Sequence, residues 1–139
     1  MLIKDKNLLG ESPIWNYFND KFYWVDIEGK KIKSFDDYNI FNYSLDKMPT
    51  CLALIDSNQI FTVLEDGLGI YDFRNNSYNY LERIDDKMVR FNDGKCDKNG
   101  ILHIGTMCRT KPRMPIGNIY KYENSNLIKL ISNIGTSNG

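Results

Sequence analysis

Apolar and polar residues alternate with a period of two along most of the chain, and no stretch shows the three-and-four spacing of an amphipathic helix. Aromatic and β-branched residues fill the apolar positions, as in Phe22-Tyr23-Trp24-Val25. Polar punctuation cuts the pattern into short segments. One set of strands is predicted over Ser12–Trp15, Lys21–Asp26, Lys31–Phe35 and Ile40–Leu45, separated by Asn19-Asp20, Glu28-Gly29 and Asp36-Asp37. Asn, Asp and Gly favour such turns because they tolerate left-handed backbone angles or bond their own backbone. A second set covers Cys51–Ile55, Gln59–Leu64, Leu68–Phe73 and Tyr78–Arg83, and a third covers Phe91–Cys96, Ile101–Thr106, Gly117–Tyr122 and Leu127–Ile131.

The three sets correspond member by member. Their second strands are Phe22-Tyr23-Trp24-Val25, Ile60-Phe61-Thr62-Val63 and Leu102-His103-Ile104-Gly105, and their third strands end in Ser34-Phe35-Asp36, Tyr71-Asp72-Phe73 and Tyr120-Lys121-Tyr122. The spacing between sets is near the ~40 to 50 residues of a propeller blade. The expected fold is therefore all-β, with three four-stranded antiparallel blades at about 9–46, 47–86 and 87–133, and 134–139 opening a fourth. A β-sandwich of a dozen short strands is the competing fold, and grouping in fours favours the propeller. Propellers close with about four to eight blades, so three leave two outer faces uncovered. A truncated product, a deliberate fragment, and completion by a second chain or a second copy all fit that pattern.

Charge narrows the partners. Lys plus Arg and Asp plus Glu are 18 each, for a net charge of zero, and no basic run is interleaved with aromatics. Nucleic acid and anionic membrane surfaces are not expected partners. Met1–Lys6 has no apolar stretch of signal-peptide length, and nothing elsewhere approaches a membrane span. Cys51, Cys96 and Cys108 are an odd set without metal-ligand spacing, expected as reduced thiols. Together these point to a cytoplasmic location.

Three polar segments interrupt the strand pattern at blade entrances. Glu11 follows Gly10 and precedes the innermost strand of the first blade, where a carboxylate faces a confined channel or simply water. Arg90-Phe91-Asn92-Asp93-Gly94-Lys95-Cys96-Asp97 packs charged and amide groups densely before the third blade. Such groups are costly to bury unless paired with each other or a ligand, and Arg and Asn suit hydroxyl and carbonyl recognition. An Asp93-Gly94 turn with a Lys95–Asp97 surface pair is the alternative. Ser137-Asn138-Gly139 by itself says only turn.

In order, Gly10-Glu11-Ser12-Pro13-Ile14-Trp15, Phe22-Tyr23-Trp24-Val25-Asp26-Ile27, the Arg90–Asp97 stretch, Gly105-Thr106-Met107, Gly117-Asn118-Ile119-Tyr120 and Ser137-Asn138-Gly139 resemble the gluconolactonase/regucalcin-like family of sugar-lactone hydrolases. The resemblance spans essentially the whole chain and about the first half of a family member. It implies half of a six-bladed β-propeller, with one divalent metal at the mouth of the central channel. It implies Glu11 and Asn138 as metal ligands, a ligand aspartate beyond residue 139 that is also the usual general base, and Arg90 and Asn92 as sugar contacts. Oxygen ligands accept calcium, magnesium, manganese, zinc or iron(II) alike. The implied activity is metal-dependent hydrolysis of a sugar lactone by a complete ring; the alternatives are a non-catalytic remnant and a calcium-binding regulatory fragment. One departure stands out: after Gly-Thr-Met the family often carries a carboxylate, and here Cys108-Arg109 lead into a basic loop.

His103, the only histidine, lies between Leu102 and Ile104 and is expected as a packed strand residue without a carboxylate partner. Trp15, Tyr23, Trp24, Phe35 and Tyr71 are expected in the core between blades.

Overall fold

The computed structural model describes residues 5–138, so Met1–Lys4 and Gly139 lie outside the described residues. Twelve strands follow one another: β1 (Gly10–Asn16), β2 (Lys21–Asp26), β3 (Lys31–Phe35), β4 (Ile40–Ser44), β5 (Pro49–Leu54), β6 (Gln59–Leu64), β7 (Gly67–Asp72), β8 (Ser77–Arg83), β9 (Val89–Cys96), β10 (Leu102–Cys108), β11 (Gly117–Glu123) and β12 (Asn126–Ile134). They form three four-stranded antiparallel sheets, each an up-and-down meander in chain order. Among the described residues no helix is long and apolar enough to cross a membrane.

Turn chemistry separates the strands much as their composition predicts. Asp20 and Asp37 take left-handed angles, with φ of 52° and 70°. At Glu28-Gly29 the left-handed residue is Lys30, at φ 52°, and Gly29 serves a different end. A Cβ there would overlap the Asp26 carboxylate, which accepts the Gly29 N–H at 3.2 Å and those of Leu8 and Leu9 at 3.0 and 2.9 Å.

Differences from the predicted strands concentrate in the third sheet. β9 begins at Val89, opposite Cys108, and β12 runs on to Ile134, opposite Gly117. Ile134 therefore belongs to the third sheet, and Thr136 makes a further bridge to Met107.

A sheet buries a face only when another sheet stacks on it. Between the first and second sheets lie Tyr23, Val25, Ile32, Leu52, Ile60 and Tyr71. Cys51, Val63, Leu68, Phe91, Leu102 and Ile104 fill the space between the second and third. Strand alternation corrects the aromatic assignments. Tyr23 and Tyr71 are in the core as expected, but Trp15 pairs with Phe22, and Phe22 with Phe35, on the opposite face of the first sheet. Trp24 shares that face, and Trp15 is 50% exposed there.

Phe91 is fully buried, with its ring edge-on to Tyr120 at 6.3 Å between centroids. Replacing it with alanine should lower unfolding free energy by about 3–5 kcal/mol in denaturant titration. A loss below about 1 kcal/mol would place little of the stability in the contact between the second and third sheets.

Candidate functional site at the mouth of the first strands

The first strand of each sheet carries a register irregularity near its start. It falls between Glu11 and Ile14 in β1, between Pro49 and Cys51 in β5, and at Asn92 in β9, where Asp93 pairs with Gly105 and Phe91 with Thr106. Bulges re-aim side chains, and they gather at rims and sites. In β1 the bulged Ser12 takes φ 52° and its Oγ accepts the Leu52 N–H at 2.9 Å, joining the first two sheets. In β9 the bulge turns Asn92 outward.

A backbone clamp repeats beside each bulge. Ile27, Glu65 and Arg109 donate their N–H groups to the carbonyls of Leu9, Met48 and Met88 at 2.8, 2.9 and 2.9 Å. One backbone position in three sheets thus carries an apolar, an acidic and a basic side chain. The Phe91 N–H also reaches across to the Glu65 carbonyl at 3.0 Å, tying β9 to the second sheet.

Asn92 Nδ2 donates to the Ser137 carbonyl at 2.7 Å and to Asn138 Oδ1 at 3.3 Å. Asn92 and Asn138 are therefore neighbours, and Arg90 lies two residues earlier in the same strand. Glu11 stands apart on β1. It lines a groove of about 640 Å³ between the first strands, together with Ser12, Leu52 and Asp93, and its carboxylate has no hydrogen-bond partner among the described residues. Asp93-Gly94 is part of β9 and not a turn. Ser137 lies against Gly105, where any Cβ would overlap its side chain. Its Oγ is buried without a hydrogen-bond partner among the described residues.

Arginines crowd this end of the third sheet. Arg90 Nη1 donates to the Phe91 carbonyl at 2.8 Å. Burial, then the Arg113 and Arg109 charges, push its pKa below the ordinary guanidinium value, against the pull of Glu65 and Glu28. Arg109 donates to Glu65 Oε2 at 2.5 Å and to the Val89 carbonyl at 2.8 Å. Burial alone would raise the Glu65 pKa; the Arg109 hydrogen bond, the Met48 N–H and the Arg109 and Lys47 charges outweigh it and hold the carboxyl below its usual range. Sequence reasoning missed Glu65, whose only signal is its shared clamp position with Ile27 and Arg109.

His103 also departs from expectation. It is partly exposed, and its Nε2 lies 3.5 Å from Asp97 Oδ2. The 97–100 turn brings that carboxylate back beside β10, where it also accepts the Asn99 and Ile101 N–H groups at 2.8 and 3.0 Å. Cys51, Cys96 and Cys108 are free thiols.

The donors fit a divalent cation in kind. Glu11 offers an uncommitted carboxylate and Asn138 an amide oxygen, both hard ligands. No group of three or more His, Cys, Asp or Glu side chains occurs among the described residues, so these two would need further ligands.

Residues 9–139 match the model of the SMP-30/Gluconolactonase/LRE-like region. The chain belongs to this family. It is 31% identical to the YvrE protein of Bacillus subtilis (strain 168), provisionally named a sugar lactone lactonase, over 95% of this chain and 47% of that protein. It is 27% identical to the L-arabinolactonase of Azospirillum brasilense over 87% of this chain and 42% of the relative. A crystal structure of regucalcin from Agrobacterium tumefaciens, described as a calcium-binding protein, superposes with a TM-score of 0.85 at 26% identity, covering 92% of this chain and 44% of that one. The chain thus spans about half the length of the relatives it matches, and its three sheets are half of a six-bladed β-propeller.

Gly105→Ala should displace Ser137 and release the 134–138 segment. Amide exchange at Thr136–Asn138 should speed up about tenfold or more, with strand protection kept in β5–β7; unchanged exchange there would mean that Ser137 does not depend on Gly105. A second expectation concerns acid. A carboxylate held below its unfolded pKa contributes stability above that pKa and loses it as pH falls through the folded value. Glu65→Gln should therefore lower stability at neutral pH and flatten its fall below about pH 4, as read by denaturant midpoints against pH.

Proposed function

We propose that this chain supplies half of the ring of a metal-dependent sugar-lactone hydrolase. The observation that carries this reading is the hydrogen-bonded pair Asn92–Asn138; the next residue in β9, Asp93, lines the groove in which Glu11 offers a carboxylate without a hydrogen-bond partner among the described residues. Lactonase names among the relatives support the substrate class, and the calcium-binding description of the Agrobacterium regucalcin supports a divalent ion. Glu11 and Asn138 would hold that ion. When bound, it supplies Lewis acidity toward the lactone carbonyl or a water.

The chain's own side chains do the positioning. Asn92 uses Nδ2 on Ser137 and Asn138, leaving Oδ1 to accept a sugar hydroxyl. Arg90 has one hydrogen bond, to a backbone carbonyl, and directs its remaining donors to hydroxyl or carbonyl oxygens. Holding the lactone in one orientation lowers the entropic part of the barrier. Residues 134–138 reach the site from the third sheet, whereas the expected general-base aspartate belongs to the other half of the ring. Turnover therefore requires the completed ring, from further chain, a second chain or a second copy. Free thiols favour a reducing, cytoplasmic setting.

In the complete protein, Glu11→Gln should reduce lactone ring opening by about a hundredfold or more. Base uptake in a pH-stat, with manganese, zinc, calcium, magnesium and iron(II) supplied in turn, measures it. Full turnover in that variant would remove Glu11 from the site and with it this assignment.

A further inference from the structure

The basic end of the third sheet carries more positive charge than its fold uses. Met107 is the register partner of Arg90, and Arg113 folds back so that its Nη1 lies 2.9 Å from Met107 Sδ. Two guanidiniums thus flank one buried methionine. Neither makes an ion pair among the described residues: Glu65 is bonded to Arg109, and the Glu65 and Glu28 charges reach Arg90 only from beyond ion-pair distance. The same Met107 bridges Thr136, two residues before Asn138. The unpaired charges therefore adjoin the Asn92–Asn138 pair. Like charges held together at a half-buried position repel, and an anion relieves both the repulsion and the lost hydration.

We propose that the lactone taken at this site carries an anionic group, a carboxylate or a phosphate, which Arg90 and Arg113 hold between them. The inference rests on the hydrolase reading for the word lactone and on the guanidinium pair for the word anionic. A planar guanidinium presents paired N–H donors that match carboxylate and phosphate oxygens, and such charge-assisted bonds are the strong ones. Arg109 acts by position: its bonds to Glu65 and to the Val89 carbonyl fix the start of the 109–116 loop that delivers Arg113. A neutral sugar would leave Arg113 without an ion-pair partner among the described residues and Arg90 with only the more distant Glu65 and Glu28 charges.

Calorimetry on the full protein, at fixed salt, separates the two halves of this statement. Glucitol, glucitol 6-phosphate and L-gulonate share a polyol chain, and end in a hydroxyl, a phosphate and a carboxylate respectively. At least one of the anions should bind about tenfold or more tightly than glucitol, and the stronger of the two names the group. Arg113→Gln, at an exposed loop position, should bring the ratio to within about twofold, and Arg113→Lys should keep part of it. Equal binding of all three, or detectable binding of none, overturns the proposal, as does a preference that survives Arg113→Gln. Anion preference without ring opening of any lactone would keep the guanidinium site and remove the hydrolase reading. Ring opening of neutral lactones with no anion preference would do the reverse.

Discussion

Ser137 can lie against β10 only because Gly105 has no side chain, and that close approach brings the last described residues onto the third sheet. Thr136 bridges Met107, and Asn92 reaches out of its bulge to the Ser137 carbonyl and the Asn138 amide. The contact leaves the Ser137 hydroxyl buried without a hydrogen bond among the described residues. An unsatisfied hydroxyl costs on the order of 1–3 kcal/mol, a local cost set against the backbone bridge and the two Asn92 bonds. Without the approach, Asn138 would have no fixed place relative to Asn92, and the hydrogen bond between them would be lost.

Repetition supplies the frame, and departures from it supply the chemistry. The clamp that joins Ile27 to Leu9, Glu65 to Met48 and Arg109 to Met88 is a backbone device, indifferent to side chain. The same position can therefore carry an apolar residue in one sheet and opposite charges in the next two without disturbing the fold. Opposite charges on neighbouring sheets then find each other, and the Glu65–Arg109 pair fastens the mouth of the third sheet to the second. The bulges follow the same logic: Ser12 turns toward the second sheet and bonds Leu52, whereas Asn92 turns outward to meet Ser137.

Period-two alternation made the strands and their grouping in fours legible, because each sheet buries one face and the pattern records it. What alternation could not say is whether the other face is covered. Trp15, Trp24 and Phe35 read as core by type, and they occupy the face of the first sheet on which no other sheet stacks among the described residues, with Asp5 and Asn7 reaching over it. His103 lacks a carboxylate in its own strand, yet the turn at 97–100 returns Asp97 beside it, a contact set by chain reversal. Arg90 and Asn92 stood out because polar groups crowd a strand start, but their relation to Ser137 and Asn138 spans more than forty positions and depends on a bulge. Glu65 carried no local signal at all; its role follows from a backbone equivalence that only the fold displays.

The uncovered face of the first sheet bears on the site as well as on stability. Phe22, Phe35 and Ile40 are aligned by register there, and Lys33, only 2% exposed, is paired with Asp5 at 2.7 Å. Aromatic side chains in register beside a half-buried ion pair have the make-up of a packing surface, since apolar rings are poorly solvated by water. Glu11 and Pro13 line both this face and the groove between the first strands. A sheet stacked on Phe22 and Trp24 would therefore also wall the Glu11 carboxylate, lowering its access to water and strengthening the attraction for a cation that the proposed function assigns to it. On the proposed reading, closing the ring and completing the site would coincide at Glu11.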